Sequence, residues 1–148
     1  MNPLAAAGVL LALVAVSTAA GLLWRARTGR ARAAAGDERV HPHEVGAEPA
    51  GFGGRATLLQ FSTEYCSPCR STARVLGSAA AARRGVSHVE VDLADRPELA
   101  GRFSVLQTPT TLVLDGHGAV RARISGAARP ADVASVLDRL LGSDHVPA

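Results

Sequence analysis

The 148-residue chain has only two cysteines, Cys66 and Cys69, and they stand as C-x-x-C. The residues around them leave few folds open. A nearly continuous apolar run, residues 56–61, leads in, and a helix-like run, residues 68–82, leads out. An apolar run that short, without alternation, suits a strand buried on both faces. Pro68 suits the start of a helix, where a missing N–H costs nothing, and it stiffens the turn. Cys69, Ala73, Leu76 and Ala80 then recur at helical spacing. The cysteine pair therefore lies where a strand hands over to a helix. Unpaired N–H groups and the positive end of the helix dipole face Cys66 there, and they favour thiolate over thiol. Residues three apart at a helix start share a face, so the two sulfurs can bond without unfolding the turn. This pattern points to thiol–disulfide exchange. Cys66 is the expected nucleophile and Cys69 the resolving thiol. A purely structural bridge closes too short a loop to remove much unfolded-state entropy. Zinc would need two further ligands, or a dimer supplying a second pair. A metal-binding or adaptor module using the same cysteines is the alternative from another class.

The chain beyond the motif alternates strands and helices. Residues 86–91 read as a strand. Asp95 reads as the cap of a short helix reaching Phe103, with Glu98 three residues on. Residues 110–114 and 120–124 read as a hairpin closed by the turn at 115–118. Pro130 opens a last helix on which Val133, Val136, Leu137, Leu140 and Leu141 recur at i, i+3, i+4, i+7 and i+8, and Gly142 is its expected end. The order is β-α-β, a short helix, then β-β-α. Such an order predicts an α/β fold, a mixed central sheet with helices on both faces.

Residues 4–24 carry no charge, and as a helix they would span ~31 Å, about one bilayer core. Trp24 stands at the end, where an interfacial aromatic belongs. A signal peptide is the rival, with Ser17, Thr18 and Ala19 as a loose cleavage site, but no basic side chain precedes the run. The expected domains are an anchor at 1–24, a linker at 25–54, the folded part at 55–142 and a tail at 143–148. Arg39 to Val45 leaves a short edge strand open, and His41 and His43 read as a solvated pair rather than metal ligands. Arg25, Arg27, Arg30 and Arg32 crowd the carboxyl side of the apolar run, which places the folded part in the cytoplasm by the positive-inside rule. An extracytoplasmic placement is the alternative. Every basic residue is Arg, and these are scattered through a folded part of nearly balanced charge. No basic stripe interleaved with aromatics marks a nucleic-acid surface.

Residues 61–69, FSTEYCSPC, resemble the aromatic-rich strand end that leads to W-C-G-P-C in the thioredoxin family. Thr108-Pro109-Thr110 falls where that family places its cis-proline loop, Val91-Asp92 ends the strand between, and Gly126 follows the hairpin. The resemblance covers residues 56–141 and implies a thioredoxin fold and a redox-active Cys66–Cys69 disulfide with no other cofactor. It implies that Tyr65, Thr108 and Pro109 shape a docking surface for protein disulfide or thiol clients, the Thr108 backbone pairing with an extended segment. A separate partner would recycle the pair. Tyr65 replaces the family's Trp, and Ser67 replaces its Gly. Gln60 falls where thioredoxins keep a buried Asp that assists the second cysteine, and His88 falls near that Asp's Lys partner. Gln60 and Pro68 are therefore expected to modulate the pair, with Glu64 and His88 as weaker candidates. Together with the apolar run at 4–24, the resemblance gives the expectation of a membrane-tethered thiol–disulfide oxidoreductase with a dedicated partner. An extracytoplasmic role in cytochrome c maturation or disulfide handling is its variant.

Overall fold

In the computed structural model, residues 2–35 and 37–143 are described. The chain order is α1 (Pro3–Arg27), β1 (Ala31–Ala33), two 3-10 turns (Pro42–Val45 and Pro49–Gly51), β2 (Ala56–Ser62), α2 (Ser67–Ala81), β3 (Val86–Asp92), α3 (Glu98–Arg102), β4 (Thr110–Asp115), β5 (Val120–Ser125) and α4 (Pro130–Ser143). The five strands form one mixed sheet in the order β1-β5-β4-β2-β3. Only the β2–β3 pair is parallel; β2–β4, β4–β5 and β5–β1 are antiparallel. This is a thioredoxin-like α/β architecture.

Every residue of β2 is buried, so the unbroken apolar run does mark a two-faced central strand. Side chains alternate across it. Ala56 and Leu58 face Leu76 of α2 and Val133, Val136 and Leu137 of α4. Leu59 and Phe61 face the other way, onto Leu99 and Phe103. The Phe61 and Phe103 rings sit 5.4 Å apart, tilted against each other. At Val113/Leu114 the β4–β5 register shifts, so that Leu114 pairs with Val120 and Arg121 is the extra residue. Such a bulge turns the residues beyond it, and Val120 belongs to the Phe61 cluster while Ala122 and Ile124 belong to the α2–α4 cluster.

Helix α1 starts on the Asn2 cap, whose Oδ1 accepts the Leu4 N–H at 3.2 Å, with Pro3 in the first turn. None of its side chains is buried, and its mean hydropathy reaches 2.2. Its length, 25 residues or ~38 Å, exceeds a bilayer core. An apolar helix without protein around it suits hydrocarbon, and a signal sequence near the amino terminus has the same character.

The segment read as a linker, residues 25–54, is built into the domain. Ala31–Ala33 pairs with β5, Arg39 bridges Ala119, and Val40 and Val45 are buried in the Phe61 cluster. In the Arg39–Val45 stretch Arg39 makes a single antiparallel bridge and Pro42–Val45 is a 3-10 turn; the edge strand lies earlier, at Ala31–Ala33. Two helix ends also differ from expectation. The cap of α3 is Pro97, not Asp95, and Glu98 is held by Arg96 at 2.6 Å instead of reaching back to a cap. Gly142 does not end α4, which runs to Ser143. The tail beyond Ser143 lies outside the described residues. On α2 the buried face carries Thr72 where Ala73 was expected, because the Thr72 hydroxyl accepts the Ala128 N–H at 3.2 Å and joins α2 to the loop before α4.

Val40→Ala should lower the unfolding free energy by about 1–2 kcal/mol, the worth of two buried methylenes and the void they leave. A solvated linker residue would cost nothing, so denaturant titration separates the two readings.

Candidate redox site

Cys66 is the N-cap residue of α2, with φ −89° and ψ 95°. Its N–H is given to the Thr63 carbonyl and its carbonyl accepts the Cys69 N–H, both at 3.1 Å. These two bonds form the tight turn that sets the sulfurs side by side, with Cα atoms 5.3 Å apart and a disulfide between them. Burial separates the partners: Cys69 is only 3% exposed, and Cys66 is partly exposed. Pro68 sits in the first turn, and its carbonyl accepts the Ser71 hydroxyl at 2.9 Å. Tyr65, beside the pair, is 93% exposed. Glu64 is exposed too.

A second loop closes on the first. The Thr108–Pro109 bond is cis, Pro109 is buried, and the Thr108 hydroxyl lies 3.4 Å from that of Thr63. The Pro109 carbonyl accepts the Gly126 N–H at 2.8 Å. Gly126 has φ +92°, a backbone conformation that favours glycine. Neither backbone group of Thr108 is hydrogen-bonded among the described residues. An extended segment could pair with them.

Gln60 shares the α2 face of β2 with Ala56 and Leu58, as strand alternation requires. It is fully buried. Its Nε2 donates to the Cys69 carbonyl at 3.0 Å and reaches Glu90 Oε1 at 3.4 Å, while the His88 Nε2 lies 3.0 Å from Gln60 Oε1. A carbonyl only accepts, so the amide nitrogen must face Cys69 and the amide oxygen must face His88. The His88 Nε2 therefore carries the proton. Burial pushes the His88 pKa below its usual value, against the pull of the Glu90 carboxylate. Ser62 donates to Glu90 Oε1 at 2.7 Å. The second cysteine is thus backed by a neutral amide and a neutral imidazole.

The structure brings Cys66, Cys69, Tyr65, Pro68, Thr108, Pro109, Gln60 and His88 into one region and leaves Glu64 in solvent. Thr63, Ser62 and Glu90 belong there without having been singled out. Glu90 is the β3 partner of Gln60 in the parallel register, and Ser62 lies two residues along the same face, so pairing and alternation are the signals that would find them.

A mixed sheet with a disulfide at the start of its crossover helix, and a cis-proline loop that meets the residues just before that helix, defines a dithiol–disulfide fold. The Thioredoxin family model matches residues 53–139. The chain belongs to the thioredoxin family. Over 73 residues it is 27% identical to thioredoxin H5 of Oryza sativa, covering 49% of this chain and 54% of the relative. Against the putative thioredoxin 2 of Streptomyces coelicolor, identity is 33% over 91 residues, 60% of this chain and 67% of the relative. The solved thioredoxin of Fasciola hepatica superposes with a TM-score of 0.51 at 28% identity, over 59% of this chain and 82% of that one. The match spans about half the length of the rice thioredoxin H5 and of the chloroplastic M-type thioredoxin of Zea mays.

The depressed His88 pKa has a stability consequence. Above the unfolded value of about 6.5, histidine is neutral in both states and costs nothing. As pH falls from there toward the folded pKa, the unfolded chain takes the proton first, and stability is lost across that window. Chemical denaturation should show this loss in the wild type and less of it in His88→Gln.

Proposed function

We propose that the protein is a membrane-tethered thiol–disulfide oxidoreductase that exchanges electrons with protein disulfides through Cys66 and Cys69. The observation that carries this reading is the position of the pair: one sulfur partly exposed at a helix start, the other buried, beside a Thr108 backbone open to pairing. In the reducing direction the Cys66 thiolate attacks one sulfur of a client disulfide. The client's other sulfur leaves as a thiolate, and a mixed disulfide joins Cys66 to the client. Cys69, deprotonated, attacks Cys66, and the client's second thiolate departs. Two electrons pass to the client, and the protein is left with the Cys66–Cys69 disulfide. A dithiol donor must then restore the pair. An amide does not titrate, so Gln60 cannot take the proton from Cys69; its place is to hold the turn. This favours a dedicated client over broad reductase activity.

Cys66→Ser should abolish reduction of a model protein disulfide and all mixed-disulfide formation. Cys69→Ser should still attack and should accumulate a covalent client adduct, visible on non-reducing gels. If alkylation of the reduced protein at neutral pH labels Cys69 faster than Cys66, the two roles are reversed.

The anchor reading of α1 rests on its length and its bare apolar surface. Leaving Arg25, Arg27, Arg30 and Arg32 inside avoids moving four cations against the membrane potential, at ~2.3 kcal/mol each per 100 mV. The domain is then cytoplasmic, and its dithiol acts as a reductant. An impermeant thiol reagent should leave Cys66 unlabelled in intact cells and label it after lysis. Ready labelling from outside, in uncleaved protein, would reverse the sidedness and favour the extracytoplasmic variant.

A further inference from the structure

We propose that the junction between α1 and the domain is a binding site for the headgroup of an anionic phospholipid. The inference rests on the anchor reading of α1. A groove of about 690 Å³ opens where the helix meets the sheet, lined among others by Trp24, Arg27, Arg30, Arg32, Leu106 and Arg123. Among the described residues no acid lines it, and none of their ion pairs uses any of these four arginines. Arg32 of β1 is the direct cross-strand partner of Arg123 in β5. Like charges so placed oppose strand pairing, and an anion between them would reverse that. Arg123 gives one N–H to the Phe103 carbonyl at 2.8 Å and has others to offer.

The geometry selects the source of the anion. The uncharged run ends at Trp24, an interfacial residue in a bilayer-spanning helix, and the arginines begin at the next position. They therefore stand at headgroup depth, where each basic residue gains from anionic lipid. Leu106, 95% exposed at the groove, has a place against the acyl boundary. The junction is fixed rather than swinging. Thr28 donates to Trp24, Gly29 donates to Ser125 at 2.7 Å, and Arg129 holds the Arg25 and Thr28 carbonyls. Gly29, at φ +77° and pressed on the Ala127 carbonyl, makes the sharp exit from the helix. Arginine forks suit a phosphodiester.

Trp24 is the chain's one tryptophan, so its fluorescence reports on the groove directly. Full-length protein is reconstituted in phosphatidylcholine bilayers containing brominated phosphatidylglycerol or, at equal mole fraction, brominated phosphatidylcholine. Quenching by the glycerol lipid should exceed that by the choline lipid several-fold. Arg30→Gln with Arg32→Gln should weaken the preference for the glycerol lipid about thirtyfold, about fivefold for each surface cation removed, and so leave no measurable excess. Arg32→Glu should abolish it while raising the melting temperature in pure phosphatidylcholine, since the cross-strand pair becomes attractive. Arg74→Gln with Arg84→Gln, on α2 and the loop after it, should keep it. Equal quenching by the two lipids, or equal loss in the Arg74 and Arg84 variant, overturns the site. Removal of the excess by inorganic phosphate at millimolar concentration overturns the lipid as its ligand. Intact mass of the membrane fraction distinguishes the underlying reading: a chain cleaved within residues 17–24 overturns anchor and lipid site together, whereas an uncleaved chain without enrichment overturns the lipid site alone.

Discussion

Strand β2 is the constraint on which the rest depends. It is buried on both faces and paired on both edges, parallel to β3 and antiparallel to β4. A strand in that position cannot slip by one residue, because the slip would exchange Gln60 with Leu59 between two cores. Its register therefore fixes which residue meets Cys69. Its end at Ser62 fixes where the chain turns into α2, and so where the sulfurs lie. The parallel partner β3 requires a crossover, which α2 supplies, and the cysteines occupy the first turn of that crossover.

Burial has a chemical consequence at the same place. A buried polar side chain must find partners, and Gln60 finds them on three sides: the Cys69 carbonyl, Glu90 and His88. The bond to Cys69 anchors the resolving cysteine's backbone to the central strand. A carboxylate at this position would place a negative charge against that carbonyl and titrate with the thiol's chemistry. The amide does neither. Positional stability and proton handling are thus separated here, with the amide providing only the first.

Much of this was legible in the residues, and the reasons for the exceptions are physical. The continuous run at β2 and the stripe from Val133 to Leu141 are periodic signals, and both elements stand where their periods place them. The cysteine spacing and the Thr-Pro-Thr loop located the two halves of the site. Segment 25–54 had no period to read. Its buried apolar side chains among the described residues are the isolated Val40 and Val45, and its strand is three residues long, held by partners more than eighty positions away. Pairing of that kind is decided by the sheet edge it joins, not by local propensity. The α3 cap failed for a related reason: Arg96 captured Glu98, and the Asp92 side chain took the Ala94 N–H, so the local capping box lost to neighbours just as close.

On the anchor reading, the packing of segment 25–54 changes what the tether does. A flexible linker of the expected length would let the cysteines sweep a wide volume around the helix end. Only three residues separate α1 from β1, a reach of ~10 Å at full extension, and hydrogen bonds to Ser125 and from Arg129 hold them. Ser125 adjoins Gly126, Gly126 donates to Pro109, and Pro109 follows the Thr108 that faces Thr63. The helix end is therefore joined to the cis-proline loop through a short run of backbone contacts. On the anchor reading, the open Thr108 backbone keeps a fixed attitude to the bilayer. The arginines at the helix exit, which no ion pair among the described residues uses, then set the charge of the surface beside it.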